Sequence, residues 1–84
     1  MSNRKLSKAQ VDILAMMSNG GTLIRNEYRF PPSFYIYWGR GDSYRTEYVN
    51  TRTANWLLDR KLIVLDKYED GLRRRVILAP GVTL

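Results

Sequence analysis

A helical stretch near the middle of the chain carries side chains that are suited to recognising a ligand. In "VNTRTANWLLDRKL", a helix predicted for residues 50–60 brings Thr51, Arg52 and Asn55 to one side. Arginine can form two hydrogen bonds with guanine, and asparagine can form two with adenine. This side of the helix is therefore a candidate reader of base edges, and its simpler interpretation is a solvated helix face.

Three consecutive arginines, Arg73, Arg74 and Arg75, are the second group with the chemistry to contact nucleic acid. Guanidinium groups match the geometry of phosphate oxygens. Successive residues of a strand point to opposite faces, so all three can meet one ligand only if their hairpin, residues 62–78, projects into solvent. Otherwise Arg74 pairs with a carboxylate across the turn, and such a surface pair contributes little stability.

The charge of the chain favours an anionic partner. The 84 residues include 14 basic and 8 acidic side chains, which give a formal net charge of +6. This excess favours nucleic acid, an acidic protein or an anionic surface. The hydrophobic fraction of 44% is ordinary for a globular protein. We therefore expect one folded domain over residues 1–84, with a flexible segment at residues 1–6.

The composition argues against an enzyme. The chain has no cysteine and no histidine, which removes thiolate chemistry, the commonest general base and the commonest metal ligand. Asp66, Glu69 and Asp70 lie near one turn, but their spacing lacks the pattern of a calcium loop. The apolar run of residues 13–17 is too short to span a membrane. We expect no catalytic residue, metal, cofactor, small-molecule substrate or membrane partner, and a cytoplasmic location.

Local signals predict two helices and four or five short strands, because the segment between the helices can form either a β-hairpin or a three-stranded meander. Ser7 and Gln10 have the spacing of a capping box, and an Asn-Gly-Gly sequence supplies a stop, so a helix is predicted for residues 8–18. The second helix, residues 50–60, has Asn50 as its cap. The remainder divides into predicted strands at residues 22–29, 33–38, 43–48, 62–65 and 72–78, with turns at 39–42 and 68–71. This order of elements indicates an α+β fold.

The aromatic residues are concentrated in one part of the chain, since eight of the ten lie within residues 28–48. In the strand predicted for residues 33–38, three apolar side chains share the face that is expected to point into the core: Phe34, Ile36 and Trp38. Tyr35 and Tyr37 point the other way. Tyrosines interleaved with arginines can stack on single-stranded bases, but core packing or a protein interface, where tyrosine is enriched, is the preferred interpretation.

Two parts of the sequence have a pattern that is known from DNA-binding proteins. The run T-x-x-x-L-L-x-x-x-L-I, residues 53–63, precedes a charged hairpin and the sequence VILAPG, residues 76–81. With the opening LSKAQVDILAMMSNGG, residues 6–21, they resemble the winged helix-turn-helix family, and the order of elements is similar to the small bacterial YjhX-type proteins. The resemblance implies a small winged-helix-like α+β domain, with two main helices, a small antiparallel sheet and a C-terminal β-hairpin wing.

The resemblance also implies how such a domain would contact DNA. Thr51, Arg52 and Asn55 would face the major groove, and the wing would use three side chains on phosphates or a minor groove: Arg73, Arg74 and Arg75. The leading expectation is a non-enzymatic double-stranded DNA-binding protein, a transcriptional regulator of a bacterium or its phage, that uses helix 50–60 and wing 62–78. The alternative is a protein-interaction module or homodimer that uses Tyr35 and Tyr37 on strands within residues 28–48.

Overall fold

The computed structural model describes residues 6–40 and 43–82, without the side chains of residues 40, 43 and 44. Its elements in chain order are α1 (Lys8–Ser18), β1 (Thr22–Asn26), β2 (Ser33–Arg40), β3 (Ser43–Val49), α2 (Thr51–Asp59), β4 (Ile63–Asp70) and β5 (Arg73–Leu78). The segment expected to be flexible, residues 1–6, lies outside the described residues except for Leu6, and so do residues 41–42 of the turn predicted at 39–42.

Both helices begin at the predicted caps. Ser7 Oγ accepts a hydrogen bond from the Gln10 N–H at 3.2 Å, and Gln10 Oε1 accepts one from the Ser7 N–H at 2.8 Å. The side chain of Asn50 likewise accepts from the Thr53 N–H at 3.1 Å. These bonds satisfy N–H groups that have no partner inside the helix. The helix predicted for residues 8–18 is confirmed, and the second helix begins at Thr51, directly after its cap.

The five strands form one antiparallel sheet with the order β3-β2-β1-β5-β4. At its centre, Leu23 of β1 pairs with Ile36 of β2 on one side and with Val76 of β5 on the other. These three side chains are buried in the same cluster as residues of both helices, among them Ala54 and Leu57 of α2. The core therefore lies between one face of the sheet and the two helices.

Within the described residues, the opposite face of the sheet carries no helix, and we call it the uncovered face. Ile24 of β1 points to this face and is nevertheless fully buried, between Tyr35 of β2 and Arg75 of β5 in the strand register. The alternation predicted for β2 is confirmed, because its apolar side chains enter the core whereas Tyr35 and Tyr37 lie on the uncovered face.

The winged-helix prediction is wrong. A winged helix-turn-helix domain has a helix directly before its recognition helix, whereas β2 and β3 precede α2 in this chain. Its wing projects from the domain, whereas β5 lies inside the sheet and pairs with β1 from Leu23↔Val76 to Asn26↔Arg73. The fold is instead a five-stranded antiparallel sheet with two helices on one face. The physical reason is that β1 buries apolar side chains on both faces and has backbone groups to satisfy along both edges.

The strand β4 is longer than the sequence indicated. A turn was expected at residues 68–71, but β4 continues through Asp70. Its pairing with β5 shifts register twice, between Leu65 and Tyr68 and again between Tyr68 and Asp70. Such irregularities increase the local twist of a strand. This end of the sheet therefore departs from a flat surface.

The packing of α2 on the sheet gives the first prediction. Leu57 is fully buried, so Leu57→Ala leaves a cavity and should lower the free energy of unfolding by about 2 to 5 kcal/mol. Leu72, whose side chain is 44% exposed, offers the matched control: Leu72→Ala should cost about 1 kcal/mol or less. Urea unfolding checks both values. Equal losses in the two variants would contradict the packing of α2 described above.

Candidate functional site

The outer side of α2 presents the side chains predicted to read a ligand. Arg52 and Asn55 are exposed, one helical turn apart, and Thr51 beside them is half-buried. The opposite side of the same helix is buried through Ala54 and Leu57. The helical period therefore positions Thr51, Arg52 and Asn55 on one side, as the sequence predicted, and all three lie in the first half of the helix.

A shallow groove of about 560 Å³ runs along this outer side of α2. Its lining includes Trp56, which is half-buried, and the guanidinium of Arg60 lies 4.6 Å from the centre of the Trp56 ring. The groove is completed by a residue of the β1–β2 connection and by side chains of α2: Pro31, Thr51, Arg52, Asn55, Trp56 and Asp59. The three polar residues predicted for recognition thus share one concave surface.

Sequence reasoning missed the contribution of the β1–β2 connection to this surface. Pro31 lines the groove, and Phe30 directly before it is 97% exposed, with Arg29 also exposed. An aromatic side chain with this exposure makes almost no contact within the described chain. The Phe-Pro-Pro sequence indicated only where a strand must end, so the proximity of this connection to α2 was visible only in three dimensions.

The three arginines of β5 do not join the α2 surface. Val76 of β5 points into the core. Arg73 and Arg75 are an odd number of positions from Val76, so they lie on the uncovered face of the sheet, away from both helices. Arg74 points to the other face, where its Nε donates a hydrogen bond of 2.6 Å to the Asp66 carbonyl and its guanidinium lies 5.0 Å from the centre of the Tyr68 ring. The six predicted nucleic-acid residues are therefore divided between the two sides of the sheet.

The uncovered face contains a second groove, also of about 560 Å³. The ring of Tyr35 lies 6.5 Å from that of Tyr37 and 6.1 Å from that of Tyr48, measured between centroids. These separations are typical of aromatic pairs in contact. The groove is lined by three tyrosines and by polar residues around them: Asn26, Tyr35, Tyr37, Thr46, Tyr48, Glu69, Asp70 and Arg73. Tyr48, which is 80% exposed, is the part of this cluster most open to solvent.

The end of β4 forms one wall of this groove. The hydroxyl of Tyr37 on β2 donates to Glu69 of β4, with distances of 3.0 and 3.2 Å to its two carboxylate oxygens. In a flat sheet these strands would be about 14 Å apart, since each strand spacing is about 4.8 Å. The sheet therefore curls toward the uncovered face. Beside this contact, Arg73 Nη1 lies 3.2 Å from an Asp70 oxygen, so the wall carries both signs of charge.

The surroundings of the tyrosines shift their ionisation. Burial raises the pKa of the Tyr37 phenol above its ordinary value of 10.0, and the hydrogen bond and negative charge of Glu69 raise it further. Burial also raises the pKa of Tyr35, against the opposing effect of the positive charge of Arg73. Both tyrosines are therefore neutral at physiological pH.

The described part of the chain gives no sign of a metal centre or of a membrane span. Across residues 6–40 and 43–82, no group of three or more acidic residues is placed to hold a metal ion. Among the same residues, neither helix is long and apolar enough to cross a membrane. The α2 groove holds three of the six residues predicted to contact nucleic acid, Thr51, Arg52 and Asn55, whereas Arg73 lines the other groove with Tyr35 and Tyr37.

The contact between Tyr37 and Glu69 gives a prediction about pH. Above pH 10, unfolded chains lose the tyrosine proton while the folded protein keeps it, so the free energy of unfolding should fall as pH rises through this range. Glu69→Gln should lower the pKa of Tyr37, because the negative charge of Glu69, which raises it, is removed. Carbon NMR of labelled tyrosine measures the titration, with Glu47→Gln as the control. An unchanged Tyr37 titration in Glu69→Gln would contradict the contact.

A scan against protein-family models, a search of curated proteins and a search of solved structures found no match to this chain.

Proposed function

We propose that the protein is a non-enzymatic, double-stranded DNA-binding protein that uses the first half of α2 and the groove beside it. The observation that carries this proposal is the pair Arg52 and Asn55, exposed one turn apart on a helix whose opposite side is anchored in the core. A major groove about 12 Å wide admits a helix held in this way. Arg52 is suited to guanine and Asn55 to adenine.

The distribution of charge supports this side of the protein over the uncovered face. Along α2 and its exit, three basic side chains, Arg52, Arg60 and Lys61, outnumber the single acidic side chain of Asp59, which gives +2. All four are exposed. In the tyrosine-lined groove, two carboxylates face one guanidinium, which gives −1, and Arg75 beside it on the uncovered face brings the sum to zero. Phosphates are therefore attracted to the α2 side and not to the lining of the other groove.

The charges also locate the contact along the helix. Asp59 lies near the C-terminal end of α2 and repels phosphate, so the closest approach of DNA is to the first half, at Thr51, Arg52 and Asn55. The exposed Arg29 lies in the β1–β2 connection, whose Pro31 lines the same groove, and its positive charge supports a contact with the DNA backbone. A transcriptional regulator of a bacterium or its phage, acting in the cytoplasm, is the biological form of this proposal.

The arginine of the pair gives a test of DNA binding. Arg52→Ala should weaken binding to a duplex carrying the preferred sequence by about 1 to 3 kcal/mol, which is roughly 5- to 150-fold in Kd. Fluorescence anisotropy with a mixed-sequence duplex pool, followed by selection and sequencing of bound duplexes, measures affinity and preference. Binding should weaken steeply as salt rises from about 50 to 200 mM, since phosphate contacts release counterions.

Two control variants separate base reading from general charge. Arg52→Lys keeps the charge but loses the paired donors, so it should retain much of the non-specific affinity while losing the sequence preference. Arg75→Ala removes the same charge from the uncovered face and should leave the preference unchanged. The proposal fails if the wild-type titration is flat at low salt. It also fails if Arg75→Ala and Arg52→Ala weaken binding equally.

A further inference from the structure

The strand β3 has an outer edge that other strands can pair with. It lies at one end of the strand order, and its pairing with β2 keeps a single register from Phe34↔Val49 to Arg40↔Ser43. The other end of the sheet is β4, whose pairing is interrupted by two register shifts. Irregularities of that kind protect an edge strand from adding a further strand. The regular edge of β3 has no such protection among the described residues.

The middle of β3 is open to solvent on both faces as well as along its edge. Four successive residues are exposed: Arg45, Thr46, Glu47 and Tyr48. Strand alternation places the two charged side chains on the helix-covered side and the other two on the uncovered face. Neither Arg45 nor Glu47 forms an ion pair within the described part of the chain, although Arg45 lies 4.6 Å above the Trp38 ring.

The order of charges in β3 is complementary to itself. If two copies pair antiparallel with Thr46 opposite Thr46, Arg45 of each copy lies directly opposite Glu47 of the other, on the same face. Opposite charges at directly facing positions stabilise a strand pair. The two-fold axis of this dimer passes between the two copies of Thr46, so the contact between Arg45 and Glu47 occurs twice, as in other interfaces formed by two identical surfaces.

The same charges disfavour the neighbouring registers. A shift that centres the pair on residue 45 brings two copies of Arg45 together, and a shift that centres it on residue 47 brings two copies of Glu47 together. A parallel arrangement in register would also place like charges beside each other. Facing like charges destabilise a strand pair. Of these arrangements, the antiparallel one centred on Thr46 is the one that joins opposite charges.

We propose that the protein forms a homodimer through antiparallel pairing of the two β3 edges, which creates a continuous ten-stranded sheet. The two-fold axis is perpendicular to the sheet, so the helices of both copies lie on the same side. The expected use of the Tyr-rich strands for self-association thus takes a specific form: the backbone edge of β3 supplies the contact, and Tyr35 and Tyr37 flank it on the uncovered face. This dimer does not depend on DNA binding.

Two charge reversals test the proposed register. Arg45→Glu places two facing Glu pairs in the dimer, and Glu47→Lys places two facing basic pairs, so each variant alone should dissociate at a concentration at least about tenfold higher than the wild type. Mixed in equal amounts, the two variants should form a heterodimer, because every facing pair then joins opposite charges. Sedimentation equilibrium of each sample and of the mixture measures this. Recovery on mixing also shows that both variants are folded.

The change in net charge has its own controls. Lys67→Glu matches the charge change of Arg45→Glu, and Asp59→Lys matches that of Glu47→Lys, at exposed positions away from β3. Both control variants should dimerise like the wild type. A wild-type protein that stays monomeric at high concentration overturns the proposal. Charge variants that dimerise unchanged, or that fail to recover on mixing, overturn it too.

A cross-link tests the position of the axis directly. The chain has no cysteine, so Thr46→Cys introduces a single thiol at the point where the two copies meet. Facing residues of an antiparallel pair have Cα atoms about 4.5 to 5.5 Å apart, a separation that a disulfide spans. Mild oxidation should convert Thr46→Cys to a covalent dimer much faster than Lys67→Cys on the β4 edge. Equal rates would overturn the proposed contact.

Discussion

The fold depends on the position of β1, which lies at the centre of the sheet and buries side chains on both faces. Leu23 and Ile24 are adjacent in sequence, point in opposite directions and are both fully buried. The two helices cover only the face of Leu23. On the other face, Ile24 must be covered by its neighbours in the sheet, and Tyr35 and Arg75 occupy those positions. Side chains with an apolar body and a polar end perform this task while keeping the polar group in water.

This constraint explains why the protein has two surfaces of different character. Both helices pack their apolar sides against the core. The polar side of α2 therefore faces solvent and forms the outer surface on the helix side of the sheet. The uncovered face is built from tyrosines whose rings contact one another and whose hydroxyl groups reach polar partners, as Tyr37 reaches Glu69. The curl of the sheet that accompanies that contact brings the carboxylates of Glu69 and Asp70 into the groove. The uncovered face is consequently less positive than the α2 side, although the chain carries +6 overall.

Local structure could be predicted from the sequence because its signals are local. Ser7 and Gln10 are three residues apart, and their hydrogen bonds form the cap that their spacing predicted. The side of α2 that carries Arg52 and Asn55 also follows from the helical period alone. The alternation of apolar residues in β2 likewise predicted that Tyr35 would point away from the core.

The arrangement of the strands could not be predicted, since it depends on contacts distant in sequence. Pairing of Leu23 with Val76 joins positions more than fifty residues apart, and apolar strands of similar composition offer several alternative pairings. The prediction of a projecting wing failed at this step. Because β5 lies between β1 and β4, successive side chains of β5 point to opposite faces of the sheet. Arg74 is thereby separated from Arg73 and Arg75, so one ligand cannot contact all three arginines on a single face. The register shifts that let Glu69 reach Tyr37 also have no distinct signature in the sequence.

The two proposed surfaces are linked by symmetry. An axis perpendicular to the sheet keeps both copies of α2 on one side, so a duplex that meets both would be contacted with two-fold symmetry, as dimeric DNA-binding proteins contact paired half-sites. In the proposed complex each copy would add its own phosphate contacts, and the salt dependence of binding would grow with their number. Two copies on one duplex also have a high effective concentration for pairing through β3. Because linkage is reciprocal, a modest edge contact that strengthens DNA binding is itself strengthened by DNA to the same extent.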